Sequence, residues 1–139
     1  MSAALTWLRR PWVAFLLDAV LVVVFAAVGR ATHAEASGLG GIVGTATPFL
    51  LGMAGGWALV RWRGKAWPLR VGPGITVWAA TLLLGMALRW VAGTGIAASF
   101  VVVAGLVLAV FLVGWRALVP VLAARAPRRD RADPHTAAE

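Results

Sequence analysis

Four apolar stretches of roughly 20 residues each take up most of this chain and limit what it can fold into. They cover about residues 12–30, 42–62, 75–92 and 96–119. A helix of roughly 20 residues crosses about 30 Å of hydrocarbon. Because lipid offers backbone N–H and C=O groups no partners, such stretches cross a membrane as helices rather than as open strands. The sequence therefore predicts an all-α polytopic membrane protein, a bundle of four transmembrane helices.

Composition excludes a soluble globular domain. The chain has 139 residues, of which 61% are hydrophobic and 13% are charged, whereas a soluble domain carries about 25% charged residues. A single domain of this size has too little interior to bury so many apolar side chains, so the excess must face lipid. The lipid bilayer is therefore the first predicted partner.

Chemistry-bearing residues are sparse. The chain contains no cysteine and two histidines, which excludes disulfides and thiol catalysis and leaves too few ligands for a metal site. The Gly-Leu-Gly-Gly stretch at residues 38–41 precedes an apolar span rather than a nucleotide-binding helix, so it does not indicate nucleotide binding. We expect no catalytic residues, no metal and no cofactor.

Prolines and glycines predict where the spans begin and end. Pro11 suits a first helical position, since its missing N–H would lack a partner there. The segment from Gly72 to Gly74 should separate the second and third spans, and Pro120 should end the fourth. The predicted organisation is a cytoplasmic N-terminus at 1–11, a transmembrane domain at 12–119 and a disordered basic tail at 120–139.

The distribution of cations predicts orientation. Eleven of the thirteen Lys and Arg residues fall at one end of the predicted bundle, and only Arg30 and Arg89 lie near the other. The eleven are Arg9, Arg10, Arg61, Arg63, Lys65, Arg70, Arg116, Arg125, Arg128, Arg129 and Arg131. Since positive loops stay inside, both termini should be cytoplasmic. The net charge of +8 then indicates an anionic membrane surface as partner, not nucleic acid.

Two further expectations follow from these patterns. Tryptophans should form an aromatic belt at the cytoplasmic boundary: Trp7, Trp12, Trp57, Trp62, Trp67, Trp78 and Trp115. The alternative that the first stretch is a cleaved secretory signal has less support, because that stretch is long and contains Asp18. We therefore expect a multi-pass membrane protein that retains its first span.

Small residues at four-residue spacing mark faces where membrane helices pack closely. In the second span Gly44, Pro48, Gly52 and Gly56 form one line, which we predict to be the most buried stripe. Pro48 should also kink that helix. Gly85 in the third span and Gly29 at the end of the first mark two further packing faces.

The segment Asp18–Glu35 resembles the opening of a family of small prokaryotic membrane proteins, domain-of-unknown-function family 3054, known mainly from actinobacteria and haloarchaea. The likeness is carried by Asp18, Phe25, Gly29-Arg30, His33, Pro48-Phe49, Gly52, Trp78, Thr81, Gly85 and Leu88-Arg89, across roughly residues 12–119. Other members often have an aromatic residue where this chain has Thr47. The resemblance implies a four-helix, multi-pass protein of a prokaryotic cell membrane, and no assigned activity.

Asp18 is the first candidate site, because a carboxylate inside a span is costly unless it is protonated, paired or hydrated. It would either bind a proton or cation within a transport path or serve as a structural partner. The candidate partners are Arg116, at a similar depth in the fourth span, and the indole of Trp78.

A second candidate site is an outer anion or lipid site formed by Arg30, His33, Glu35 and Arg89, with hydroxyls from Thr45 and Thr47. The two arginines would either clamp an anion there or extend separately to lipid phosphates. Two function classes follow: a non-enzymatic membrane component, and a small homo-oligomeric channel or transporter. Any homo-oligomer should be parallel, because the cation bias is too strong for insertion in both orientations.

Overall fold

A computed structural model of the chain describes residues 7–31, 38–64 and 66–125. Within those ranges the regular structure consists of α-helices, with no strand. They are α1 (Pro11–Ala31), α2 (Leu39–Gly64), α3 (Val71–Val91), α4 (Ala98–Leu112) and α5 (Gly114–Arg125).

These helices provide four segments that are long and apolar enough to cross a membrane: α1, α2, α3, and α4 together with α5. The backbone hydrogen-bond ladder continues across Val113, whose N–H bonds to Ala109 and whose C=O accepts the N–H of Ala117. Residues 98–125 therefore form one span. The predicted all-α fold with four segments able to span a membrane is confirmed.

The two largest differences from the predicted span boundaries both occur at prolines, and α2 also begins three residues early, at Leu39. Pro73 lies within the first turn of α3, where helix N–H groups have no intrahelical acceptor and proline is tolerated. Pro120 lies inside α5, which continues to Arg125 beyond the predicted end at Val119. Pro120 removes one helical hydrogen bond, but apolar residues on both sides favour continued helix. Residues 120–125 are thus helical, and the rest of the predicted tail lies outside the described residues.

The bundle has two ends that differ in chemistry. At the basic end, α1 and α3 begin and α2 and α5 end. The basic loop residues lie at this same end. At the opposite end, α1 and α3 finish, and α2 and α4 begin. Large apolar side chains such as Leu83, Leu106 and Val110 are more than 60% exposed along the bundle, as expected of surfaces that face lipid.

Three phenylalanines from different helices pack together, with Phe25 and Phe49 in the core and Phe100 against it. Phe25 of α1 packs edge-on against Phe49 of α2, with ring centroids 5.2 Å apart. Phe100 of α4 lies 6.4 Å from Phe25 and 6.3 Å from Phe49. This aromatic cluster joins three of the four spans.

The closest helix approach is between α2 and α3, and glycines permit it. A Cβ on Gly52 would lie 2.9 Å from the Thr81 carbonyl oxygen, and one on Gly56 would lie 3.0 Å from the Cα of Val77. On α3, a Cβ on Gly85 would meet the Phe49 ring. These three predicted packing glycines lie where the prediction placed them.

The predicted stripe does not extend along all of α2. Gly44 is exposed, and a Cβ there would meet no atom within 4 Å; the same open space surrounds Gly29. Pro48 is only partly buried. The contact with α3 therefore includes Gly52 and Gly56 but not Gly44, although the four-residue spacing continues to Gly44.

Candidate functional site

Asp18 lies on the inward face of α1, near the basic end, with no exposed surface. Its carboxylate accepts four hydrogen bonds from three side chains. Arg116 donates from Nη1 to Oδ1 at 2.9 Å and from Nη2 to Oδ2 at 2.7 Å. The indole Nε1 of Trp57 donates to Oδ2 and that of Trp115 to Oδ1, both at 2.9 Å. Each carboxylate oxygen therefore has one guanidinium donor and one indole donor.

The Arg116 guanidinium is fixed as tightly as the carboxylate. Its Nε donates to the Pro68 carbonyl at 2.8 Å, and Nη1 also donates to the Leu112 carbonyl. The Trp115 ring centroid lies 4.4 Å from the guanidinium carbon. Gly74 at the start of α3 makes room for this side chain, since a Cβ there would collide with Arg116 Cδ.

This four-residue group, Asp18, Trp57, Trp115 and Arg116, is a sealed polar cluster. Both charged side chains have no solvent-accessible surface, and planar two-bond pairing is the strongest geometry for such ions. Because the carboxylate oxygens are already occupied by four donors, the cluster has no free acceptor to bind a transported proton or cation. The geometry supports the structural alternative for Asp18.

Trp78, the other predicted partner of Asp18, lies elsewhere. Its Nε1 donates to the Gly105 carbonyl of α4 at 2.9 Å. Trp78 follows Val77, which packs on Gly56 of α2. Since successive helical residues point about 100° apart, Trp78 faces α4 instead of Asp18. The prediction of a Trp78–Asp18 contact is wrong.

Four contributors to the sealed cluster were missed in the sequence: Trp57, Trp115, Gly74 and Pro68. The two tryptophans were assigned to a boundary belt. A usable signal existed for both, because they fall near the same boundary as Asp18 and an indole N–H can donate to a carboxylate. A buried carboxylate also needs more donors than one arginine supplies, whereas nothing local in the sequence points to Gly74 or to the Pro68 carbonyl.

The opposite end of the bundle holds a cavity of about 550 Å³, the arginine-lined cavity. Arg30 of α1 and Arg89 of α3 both line it, as expected from their places in the sequence. The remaining walls come from Phe25, Ala26, Gly29, Thr45, Thr94, Gly95, Ile96, Ala97 and Phe100. Two of the three rings of the aromatic cluster thus close its inner side.

Both arginines are oriented by neighbours in the cavity wall. Arg30 Nη1 lies 3.5 Å from Thr45 Oγ1, and Gly41 leaves the space that the Arg30 guanidinium fills, because a Cβ there would collide with it. The Arg89 guanidinium carbon lies 4.9 Å from the Phe100 ring centroid. Arg89 is partly buried, so it is held against the cavity wall rather than fully extended to the surface.

The other residues of the predicted outer site divide into two groups. Thr47 is exposed, and its hydroxyl donates to the Val43 carbonyl at 2.7 Å. Two residues along a helix rotate a side chain by about 200°, so Thr45 lines the cavity and Thr47 does not. His33 and Glu35 lie outside the described residues. In residues 7–31, 38–64 and 66–125, no three metal-ligating side chains lie together.

Comparison with known proteins gives one match. The model of a family described as "Protein of unknown function (DUF3054)" matches residues 15–119. The sealed cluster and both arginines of the cavity fall within this range. No curated protein and no solved structure matches the chain significantly.

Proposed function

We propose that this chain, which belongs to the DUF3054 family, is a non-enzymatic, non-transporting component of a prokaryotic cell membrane. The family has no assigned activity, and the chain carries four helices able to span a membrane. In this proposal the protein crosses the bilayer four times. The observation that carries it is the sealed cluster, in which the only acidic side chain among the described residues is fully committed to structure.

The commitment of Asp18 supports a structural role over transport. A carboxylate that carries ions must exchange partners and be reached by water. Asp18 has no exposed surface, and four donors surround it within 2.9 Å. Releasing it would leave a buried, unpaired guanidinium, which is strongly destabilising. Because α1 supplies Asp18, the cluster also supports retention of the first segment over its removal as a signal.

The cation distribution supports an orientation with both termini in the cytoplasm. Arg9, Arg10, Arg61, Arg63 and Arg70 are all exposed at the basic end, as residues of cytoplasmic loops would be. A reporter enzyme fused after Glu139 should be active only in the cytoplasm. Activity of that fusion outside the cell would overturn the orientation.

A homo-oligomeric channel or secondary transporter is the alternative, and the arginine-lined cavity is the observation that favours it. That cavity lies at one end of the bundle. Phe25 and Phe100 line its inner side and pack against the fully buried Phe49. A path through one protomer would have to cross this cluster, so transport would require a path between parallel protomers.

Flux measurements in liposomes test the proposal. Purified wild-type protein should pass no proton, cation or small anion above the level of empty vesicles. Arg89→Ala, on the cavity, and Arg63→Ala, exposed at the basic end, serve as matched variants. The non-transporting role would be overturned if the wild type shows flux that is lost in Arg89→Ala and kept in Arg63→Ala.

A further inference from the structure

The arginine-lined cavity concentrates positive charge. Guanidinium groups from two helices line it, that of Arg30 from α1 and that of Arg89 from α3. Within an apolar bundle, two cations beside one cavity attract an anion strongly, because the surroundings screen charge poorly.

Arg89 has donor capacity that the described residues do not use. Its Nε is buried and has no hydrogen-bond partner there. The Phe100 face holds the guanidinium by a cation–π contact, which does not supply the in-plane acceptor that its N–H groups require. The Nη groups of Arg89 are not enclosed in this way, and an oxyanion in the cavity would supply them with an acceptor.

The cavity wall also offers backbone donors. Residues 94–97 line it and lead directly into α4 at Ala98. The N-cap residue Ala97 makes no side-chain cap, and Gly95 adopts φ +69° just before it. The first N–H groups of a helix lack intrahelical acceptors, and the helix dipole favours negative charge there. The start of α4 therefore adds to the attraction that the two arginines exert on an anion. The arginines are the main reason to expect one.

We propose that the arginine-lined cavity binds a phosphate group, with Arg89 and Arg30 as its charged ligands and Thr45 as a hydroxyl donor. Guanidinium groups match phosphate oxygens through paired hydrogen bonds. The source of the phosphate is either free inorganic phosphate or the headgroup of an anionic lipid. The proposal is independent of whether the protein transports anything, since it concerns equilibrium binding.

Two arms of one experiment distinguish these sources. In the first, the full-length protein in a non-ionic detergent is titrated with inorganic phosphate while its melting temperature is followed, with chloride at equal ionic strength as reference. In the second, the protein is extracted from vesicles of phosphatidylglycerol and phosphatidylcholine, and native mass spectrometry measures which lipid it retains. The variants are Arg89→Gln and the matched control Arg63→Gln.

A rise in melting temperature specific to phosphate would identify free phosphate, and selective retention of phosphatidylglycerol would identify a headgroup. In either case Arg89→Gln should weaken binding about ten-fold or more, as loss of a charged hydrogen-bonding partner does, while Arg63→Gln should leave it unchanged. Should Arg89→Gln fail to fold, Arg89→Lys keeps the charge, loses the paired geometry and should still bind more weakly. Binding in neither arm, or equal binding by wild type and the Arg89 variant, would overturn the proposal.

Discussion

Asp18 and Arg116 lie 98 positions apart in the sequence and form a planar ion pair through two hydrogen bonds of 2.9 and 2.7 Å. The pair joins the first span to the last and is fully removed from solvent. In an apolar bundle neither charge would be stable without the other. This contact therefore fixes how α1 and α5 are placed against each other.

Asp18→Asn should destabilise the protein substantially. The variant keeps the shape of the side chain but leaves Arg116 buried without its counter-charge, and breaking one partner of a buried pair costs about 3–5 kcal/mol. Thermal unfolding in detergent, followed by circular dichroism, measures the loss.

Arg116→Gln should be destabilising for the reciprocal reason, and the double variant Asp18→Asn/Arg116→Gln should lose less than the sum of the two single losses. Additive losses would show that the two charges do not depend on each other, contrary to the geometry.

Trp57→Phe should also destabilise the protein, although less than loss of the ion pair. Phenylalanine fills most of the volume but removes the N–H that donates to Asp18 Oδ2, and hydrogen bonds to charged groups contribute about 1.5–3 kcal/mol. Trp62 on the same helix is 80% exposed, so Trp62→Phe is the matched control. Equal melting temperatures for the two variants would argue against the indole as a donor.

Gly74→Ala should destabilise the sealed cluster, although Gly74 is not one of its four residues. The added methyl group would collide with Arg116 Cδ, and overpacking of this kind costs about 1–3 kcal/mol. Gly72 lies two residues earlier, is exposed and has open space around it, so Gly72→Ala should be close to neutral. A Gly74→Ala protein as stable as Gly72→Ala would contradict the close approach.

Gly52→Ala and Gly44→Ala should change stability in opposite directions. At Gly52 a Cβ would press on the α3 backbone, with an expected loss of about 1–3 kcal/mol. At Gly44 the methyl group meets nothing within 4 Å, and the better helix propensity of alanine should contribute about 0.5–1 kcal/mol of stability. Destabilisation at both positions would mean that the α2–α3 contact extends over the whole stripe.

Much of the fold could be predicted from the residues because hydrophobicity acts locally. The span around Asp18 and the span around Phe49 were recognisable from length and apolar content alone. The pairing of Asp18 with Arg116 was one of two alternatives, since antiparallel spans bring residues of similar depth together. Depth along the bundle does not specify how each helix is rotated about its own axis. For this reason Trp78, the alternative partner considered for Asp18, does not reach it and bonds to the Gly105 carbonyl instead.

The sequence alone determined that this chain forms four helical segments long and apolar enough to span a membrane, because such apolar stretches avoid water and must satisfy their backbone hydrogen bonds internally. Only the tertiary structure decided which side chains meet. Trp57 and Trp115 reach Asp18, and Thr45 rather than Thr47 lines the cavity. Such contacts depend on how each helix is rotated about its axis and how closely neighbouring helices approach. Small residues such as Gly74 set that geometry, because they leave room for side chains distant in the sequence, here that of Arg116.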